Sequence, residues 1–315
     1  MADSHPLIEL RGLHRYFGQT KAVDDVSFQV SRGQVFGYIG PNGAGKTTSM
    51  RVLATLDLPT AGDAFVDGFS VVDDPDRVRR RLGFMPDFFG TYADVNVREY
   101  LDFFARAYQL RGTKRTRAIG HVMEFTGLDV LADKPINGLS KGMKQRLCLG
   151  RALIHDPAVM VLDEPAAGLD PRARIEVRAM IRELANQGKA ILISSHILTE
   201  LAEICDLVGI LERGRLVAVG SVEEIQRQGQ SPQNVVEVRL LDGTITLADW
   251  LHQRSGVSQI QRDGQVVRFL HAGELEAEAD LLKAMIEAGF RVAAFGSRRK
   301  SLEDVFMQVT KGLVQ

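Results

Sequence analysis

Cysteine is scarce in this sequence of 315 residues, which has two, Cys148 and Cys205, each in an otherwise apolar stretch. Neither lies in a CxxC pair or near a histidine-rich spacing, so we expect two buried thiols in a reducing cytosol. Also lacking is a run of about 18 consecutive apolar residues, which argues against a membrane-spanning helix. The first six residues have no apolar core and do not resemble a signal peptide. We therefore expect any membrane role to come through a partner.

A strong charge of either sign is missing as well. Lysine and arginine total 39 and aspartate and glutamate total 40, for a formal net charge of -1. This balance favours neither nucleic acid nor an anionic membrane as the main partner, and no nucleic-acid partner is expected. The chain is 45% hydrophobic and 25% charged, which is typical of a globular protein, and its length suits two domains.

Short apolar runs alternate with helical patterns over the first two thirds of the chain. Residues 34–39, 158–162 and 190–193 resemble buried strands, and residues 47–56 and 172–187 have the spacing of helices. Alternating strands and helices predict an α/β fold with a parallel sheet. Short strands before residue 34 predict an N-terminal antiparallel addition, and residues 90–155 predict a mainly helical subdomain.

A polar segment with Gly229 and Pro232 marks a boundary in the chain. We predict a first domain over residues 5–228, a linker over 229–234 and a small α+β domain over 235–315. In the last domain we expect strands near 235–241, 265–270 and 291–295, and helices over 275–288 and 302–310.

The segment from Gly40 to Thr47 reads GPNGAGKT and matches the phosphate-loop pattern G-x-x-x-x-G-K-[ST] without a mismatch. Its glycines allow backbone N–H groups to approach phosphate oxygens, and the helix that follows adds its positive end. Lys46 is predicted to neutralise the β- and γ-phosphates, and the Thr47 hydroxyl to hold Mg²⁺. The predicted nucleotide-binding residues of this loop are Gly40, Pro41, Asn42, Gly43, Ala44, Gly45, Lys46, Thr47 and Thr48.

Two carboxylates follow the buried run at residues 159–162. Parallel α/β sheets bind ligands at the carboxyl ends of their strands, where Asp163 and Glu164 are expected. We predict that Asp163 acts on Mg²⁺ through its water shell. Glu164 is predicted to be the general base for an attacking water.

The segment Leu139-Ser140-Lys141-Gly142-Met143 resembles the signature, usually LSGGQ, of ATP-binding cassette ATPases. With the phosphate loop and the acidic pair, the resemblance covers about residues 5–222. It implies a phosphate-loop cassette that binds ATP and Mg²⁺ and works as a homodimer or heterodimer. In this arrangement Ser140 and Gly142 of one chain contact the γ-phosphate held by the other.

The same resemblance assigns further positions. His196 matches the switch histidine that reaches the γ-phosphate, and Gly168-Leu169-Asp170 matches the loop through which two cassettes touch. Phe17 matches the aromatic residue that stacks on adenine, although neighbouring Tyr16 is an alternative.

Asp87 departs from the family pattern, because it stands where a glutamine is usual. A carboxylate there binds a Mg²⁺-bound water but adds negative charge beside the triphosphate. We predict a changed metal dependence with activity retained; alternatively, Asp87 faces the partner subunit.

The form LSKGM and the C-terminal segment SLEDVF resemble exporter ATPases whose permease is a separate chain. The first hypothesis is therefore the ATPase subunit of an exporter, cytoplasmic and peripheral on the inner face of the membrane. The alternative is an ATPase of this family that acts on ribosomes, DNA or an assembly scaffold. A regulatory module that no longer hydrolyses ATP is disfavoured by Glu164.

Overall fold

Every side chain is buried in three short strands, Val35–Ile39, Val159–Asp163 and Ala190–Ser194. Strands of this kind belong at the centre of a parallel sheet that is covered on both faces. The computed structural model describes residues 5–87, 90, 94–195, 198–227, 233–273 and 275–299. In it the three strands pair in parallel, which confirms the predicted α/β core.

The chain divides into two compact units, residues 1–222 and 223–315. The strands described in the first unit are β1 (Ile8–Phe17), β2 (Thr20–Val30), β3 (Val35–Ile39), β4 (Ala61–Val66), β5 (Phe69–Ser70), β6 (Leu82–Met85), β7 (Val159–Asp163), β8 (Ala190–Ser194), β9 (Leu207–Glu212) and β10 (Arg215–Gly220). The α-helices are α1 (Lys46–Leu53), α2 (Pro75–Arg81), α3 (Val97–Ala107), α4 (Gly112–Phe125), α5 (Lys141–Leu153), α6 (Pro171–Asn186) and α7 (Leu198–Ile204), with α8 (Val222–Arg227) at the boundary. Short 3₁₀ turns span Asp129–Leu131 and Ile136–Gly138.

The described strands of the first unit form two sheets. The central sheet has the order β10-β9-β3-β8-β7-β6, in which β10 alone is antiparallel to its neighbour. An antiparallel sheet of order β2-β1-β4-β5 contributes to the same apolar core, where the Phe28 ring stacks on that of Phe36 at 4.4 Å. This packing brings the N-terminal sheet against β3, from which the phosphate loop emerges.

Local sequence signals explain where the helices begin. Asn96 and Glu99 form a reciprocal capping box at the start of α3. Ser140 caps α5 by accepting the Met143 N–H, and Asp170 caps α6 in the same way. Helices α3, α4 and α5 pack together and form the helical segment expected within residues 90–155.

The second unit has its own apolar core under a four-stranded antiparallel sheet of order β12-β13-β11-β14. Its described elements are β11 (Gln233–Leu240), α9 (Thr244–His252), β12 (Val257–Asp263), β13 (Val266–Ala272), α10 (Leu275–Glu287) and β14 (Val292–Arg299). Strand β11 begins at Gln233, within the segment predicted as a linker, because this residue pairs with Ala272 of β13. The helix predicted over residues 302–310 lies outside the described residues.

Candidate functional site

The phosphate loop connects β3 to α1, and its glycines are required by close backbone contacts. Gly45 has φ +106°, and a Cβ on it would lie 2.1 Å from the Ala22 carbonyl oxygen. A Cβ on Gly40 would lie 2.4 Å from the Leu211 carbonyl oxygen. Residues with side chains do not tolerate such approaches, so the loop packs directly on the backbone of β2 and β9.

Lys46 opens α1 and is 7% exposed. Its Nζ donates to the carbonyl oxygens of Gly40 at 2.6 Å and Pro41 at 3.2 Å. Burial lowers the pKa of the Lys46 amine, while the nearby carboxylates of Glu164 and Asp163 act in the opposite direction. The amine is thus held inside the curve of the loop, on the side that faces the acidic pair.

Asp163 and Glu164 are linked through the hydroxyl of Ser194, at the end of the neighbouring strand. Ser194 Oγ donates to Asp163 Oδ1 at 2.5 Å and accepts the Glu164 N–H at 2.9 Å. Glu164 has φ +52°, a left-handed conformation that is uncommon for a residue with a side chain. Ser194 was not among the residues predicted from the sequence; the available signal was a polar residue that ends a buried strand.

A cleft of about 220 Å³ brings most of the predicted residues together. It is lined by the phosphate loop from Asn42 to Thr48 and by Ala22, Asp87, Asp163 and Glu164. Asp163 ends β7, Glu164 follows it, and Asp87 follows β6 by two residues, so all three lie at the carboxyl edge of the sheet, where Asp163 and Glu164 were expected. The cleft can hold a phosphate chain between a buried amine and three carboxylates.

The residues present in this cleft fit a Mg²⁺ ion. Asp163 is 2% exposed, and its Oδ2 has no hydrogen-bond partner among the described residues. A buried carboxylate oxygen of this kind calls for a cation or water. The described part of the chain contains no cluster of three or more histidine, cysteine or acidic ligands suited to a metal. Mg²⁺ takes one or two protein ligands together with phosphate and water oxygens, and Thr47 and Asp163 in this cleft are side chains of the required type.

Phe17 and Tyr16 differ in their surroundings. The Tyr16 hydroxyl donates to Asp24 at 2.6 Å, and Asp24 also accepts from Arg215 at 2.6 Å. Phe17 is 48% exposed at the end of β1, with the Arg15 guanidinium 4.3 Å from its ring centroid. The hydroxyl of Tyr16 is thus engaged within the protein, whereas about half of the Phe17 side chain is accessible. Neither residue lines the phosphate cleft.

Ser140 and Gly142, at the start of α5, do not line the phosphate cleft. They line a separate shallow cleft of about 160 Å³ together with Asp170 and the first turns of α6. Lys141 extends over Gly168, the first residue of the segment that resembles the contact loop between cassettes. One chain therefore holds the phosphate loop and the signature-like segment in two separate clefts.

His196 and the segment SLEDVF lie outside the described residues. Ser195, just before His196, is buried at the end of β8. Of the two cysteines, Cys148 is buried and Cys205 partly buried, and both are free thiols. Burial raises the pKa of the Cys148 thiol to about 11, so it stays protonated at neutral pH.

The parallel core, the glycine loop and the paired carboxylates together define a phosphate-loop nucleotide-binding cassette. Family comparison gives the same result: a profile described as ABC transporter matches residues 23–167. A second, described as ATP-binding protein DrrA1-3-like, C-terminal domain, matches residues 220–310.

Several relatives match over nearly the whole chain. An uncharacterized ABC transporter ATP-binding protein of Bacillus subtilis is 35% identical, covering 96% of this chain and 99% of the relative. The Nod factor export ATP-binding protein I of Ralstonia nicotianae is 35% identical, covering 98% and 94%. The daunorubicin resistance ATP-binding protein DrrA3 of Streptomyces coeruleorubidus is 34% identical, covering 98% and 97%. A solved ATP-binding subunit of an ABC transporter superposes with a TM-score of 0.65 and 32% identity, covering 70% of this chain and 92% of that one.

The chain belongs to the ABC transporter family of ATP-binding proteins. It is an ATP-binding, ATP-hydrolysing transporter subunit, in the exporter-type branch that includes these named relatives. Subunits of this kind dimerise and work with transmembrane permease partners. Among the described residues, no helix has the length and apolar character needed to cross a membrane.

Proposed function

We propose that this chain powers export through a separate permease by closing and reopening a dimer around two ATP molecules. The observation that carries the proposal is the separation of the two half-sites. The phosphate loop and the carboxylates line one cleft, and Ser140 and Gly142 line another. A second chain that brings its signature to this loop completes each site.

Each residue then has a distinct role in the composite site. The phosphate loop holds the β- and γ-phosphates through backbone N–H groups and Lys46. Thr47, and Asp163 through water, would hold Mg²⁺, which would neutralise phosphate charge. Glu164 accepts a proton from the attacking water. The partner's copies of Ser140 and Gly142 donate to the γ-phosphate, and Phe17 stacks on adenine.

His196 is proposed to contact the γ-phosphate from the end of β8, and Asp87 to contact the metal's water shell. The presence of Asp87 in the cleft with Thr47 and Asp163 favours this role over one that faces the partner alone. We also propose that residues 5–228 act as the cassette and residues 235–315 as an accessory domain. A peripheral position on the inner face of the membrane follows from docking on the permease.

Complementation between two inactive variants tests the composite site. Lys46→Ala removes the amine from the loop, and Ser140→Arg blocks the signature. We expect each variant alone to lose nearly all ATPase activity. In a mixed dimer, the loop of the Ser140→Arg chain meets the intact signature of the Lys46→Ala chain, so one site of two is complete.

The mixture should therefore regain a steady-state rate of up to about a quarter of the wild-type rate, since about half the dimers are mixed. A matched mixture of Lys46→Ala with a Lys46→Ala/Ser140→Arg double variant contains no complete site and serves as the control. If the first mixture is no more active than the control, the phosphate loop and the signature of one site do not come from different chains, and the proposal is wrong.

A further inference from the structure

Another cleft, separate from the phosphate cleft and from the cleft at Ser140 and Gly142, lies at the edge of the central sheet opposite the phosphate loop. Its volume is about 690 Å³, which is within the range of small-molecule sites. Four of its lining residues precede parallel strands: Arg32 before β3, Arg81 before β6, Ala158 before β7 and Lys189 before β8. The other wall is α4 of the helical segment. Nothing in the ATPase chemistry uses this edge, because nucleotide binds at the carboxyl ends of these strands.

The cleft carries a clear excess of positive charge. Its lining includes the arginine and lysine residues Arg32, Arg81, Lys114, Arg117 and Lys189, against the single carboxylate of Asp156. Two of the cations are compensated: Arg81 lies 3.4 Å from Asp67, and Lys189 donates to Asp156 at 2.6 Å.

The remaining cations have no carboxylate partner among the described residues. Arg32 donates to the Gly188 carbonyl oxygen at 3.3 Å, which holds its guanidinium beside the cleft without neutralising it. Lys114 and Arg117 face it from α4. Two guanidinium groups and an ammonium around one space form a site for a multivalent anion, and guanidinium binds phosphate through paired hydrogen bonds.

Apolar side chains complete the lining of the cleft. On α4, Lys114, Arg117 and His121 alternate with Ala118, Val122 and Phe125 along one helical face. Leu153 and Ile154 at the end of α5, and Leu184 of α6, add to the apolar part. A ligand that matches this lining has an anionic head and an apolar body.

We propose that this cleft binds an organic phosphate, with the phosphate between Arg32, Lys114 and Arg117 and its apolar group against Phe125, Leu153 and Ile154. The phosphate comes either from a free metabolite or from a lipid headgroup. This site is distinct from the ATP site and goes beyond the export function proposed above. A bound ligand contacts both α4 and the strands of the core, so it joins the helical segment to the sheet.

Calorimetric titration of the full chain with phenyl phosphate tests the site, with inorganic phosphate as the probe that lacks an apolar group. We expect phenyl phosphate to bind more tightly than inorganic phosphate, since only the former uses the apolar lining. Arg117→Glu and Arg32→Gln, on opposite walls, should each weaken phenyl phosphate binding about tenfold or more. Phe125→Ala should weaken the binding of phenyl phosphate but not the binding of inorganic phosphate.

Two controls separate this site from others. Arg80→Glu reverses an exposed charge on α2 that does not line the cleft, and binding should stay within about twofold of wild type. Lys46→Ala disables the phosphate loop, and it too should bind phenyl phosphate normally. Arg117→Glu should keep the basal ATPase rate and thermal midpoint, which shows that it folds.

Vesicle sedimentation then distinguishes the two sources. If Arg117→Glu, but not Arg80→Glu, also reduces binding to phosphatidylcholine vesicles that contain phosphatidic acid, the ligand is a lipid headgroup. If vesicle binding is the same in all variants, the ligand is a free organic phosphate. The proposal is overturned if phenyl phosphate fails to saturate, if Lys46→Ala abolishes its binding, or if Arg80→Glu weakens it as much as Arg117→Glu.

Discussion

A single hydroxyl, that of Ser194, bonds to both acidic residues at the end of β7. It donates to Asp163 Oδ1 and accepts the Glu164 N–H, while Asp163 Oδ2 has no hydrogen-bond partner among the described residues. The left-handed backbone of Glu164 costs about 1–3 kcal/mol, which the surrounding contacts must offset. At this scale, neighbouring residues of one motif acquire different chemical roles through their hydrogen bonds.

Replacing Glu164 by Gln tests the general base. The amide keeps the size of the side chain but cannot take a proton, so we expect kcat to fall about 100-fold or more while ATP still binds. The measurement is steady-state phosphate release together with equilibrium ATP binding. Glu183→Gln, an exposed change on α6, is the control and should keep the wild-type rate. We would abandon the assignment if Glu164→Gln turned over ATP as fast as wild type.

Replacing Asp87 by Gln restores the amide that is usual in the family. The change removes a negative charge from the cleft that holds Thr47 and Asp163. We expect hydrolysis to persist, with the Mg²⁺ concentration for half-maximal rate raised roughly tenfold. A Mg²⁺ titration of the ATPase rate measures this, with the exposed change Asp73→Asn as control. Identical Mg²⁺ curves for wild type and Asp87→Gln would contradict a role beside the metal.

At the scale of elements, His155 connects three parts of the first unit. It follows the end of α5, its ring stacks on Tyr108 at the end of α3 with centroids 3.7 Å apart, and its Nε2 lies 3.2 Å from the Leu82 carbonyl oxygen of β6. Its Nδ1 is buried without a hydrogen-bond partner among the described residues. Burial lowers the pKa of His155 to about 4, so the packed imidazole is neutral with its proton on Nε2.

This pKa predicts acid sensitivity of the packing between these elements. Between about pH 6.5 and pH 4 the unfolded histidine binds a proton that the folded one does not, so folding stability falls as pH decreases. The loss reaches at most about 3 kcal/mol by pH 4, and none of it appears above pH 7. Urea unfolding at a series of pH values measures the slope.

His155→Phe keeps the stacked ring but removes the titrating group, so it should flatten this pH dependence while losing the Leu82 hydrogen bond at all pH values. Tyr108→Phe keeps both the stacked ring and the titrating His155, and it should leave the slope as in wild type. The same slope in wild type and His155→Phe would show that other groups cause the acid sensitivity.

At the scale of the whole molecule, each of the two units is stabilised by its own core. The apolar cluster of the first unit joins the antiparallel sheet, β3 and α1, while that of the second lies between its sheet and helices. All nucleotide contacts named above belong to the first unit. Residues 220–310 match the profile described as ATP-binding protein DrrA1-3-like, C-terminal domain, so the second unit is similar to that domain.

The buried strands and the chemical motifs were the parts most readily predicted from the sequence. Continuous apolar runs identified β7 and β8, because strands buried on both faces need no polar alternation. Strands β4 and β6 were missed, since Gly62 and Gly83 interrupt them and their pairing depends on distant partners. Gly83 is needed there because a Cβ would lie 2.3 Å from the Ala152 carbonyl oxygen, a contact that no local pattern reveals.

The sequence by itself identified the phosphate loop and the acidic pair, because each is a contiguous motif whose residue types follow from phosphate and metal chemistry, and it identified the signature through its resemblance to the family pattern. Tertiary structure alone decided which of them meet. It placed Asp87 beside Thr47 and Asp163, joined Asp163 and Glu164 through Ser194, and kept Ser140 and Gly142 in another cleft. It also gathered Arg32, Lys114 and Arg117 around one space, since strand order and helix packing bring together residues that lie far apart along the chain.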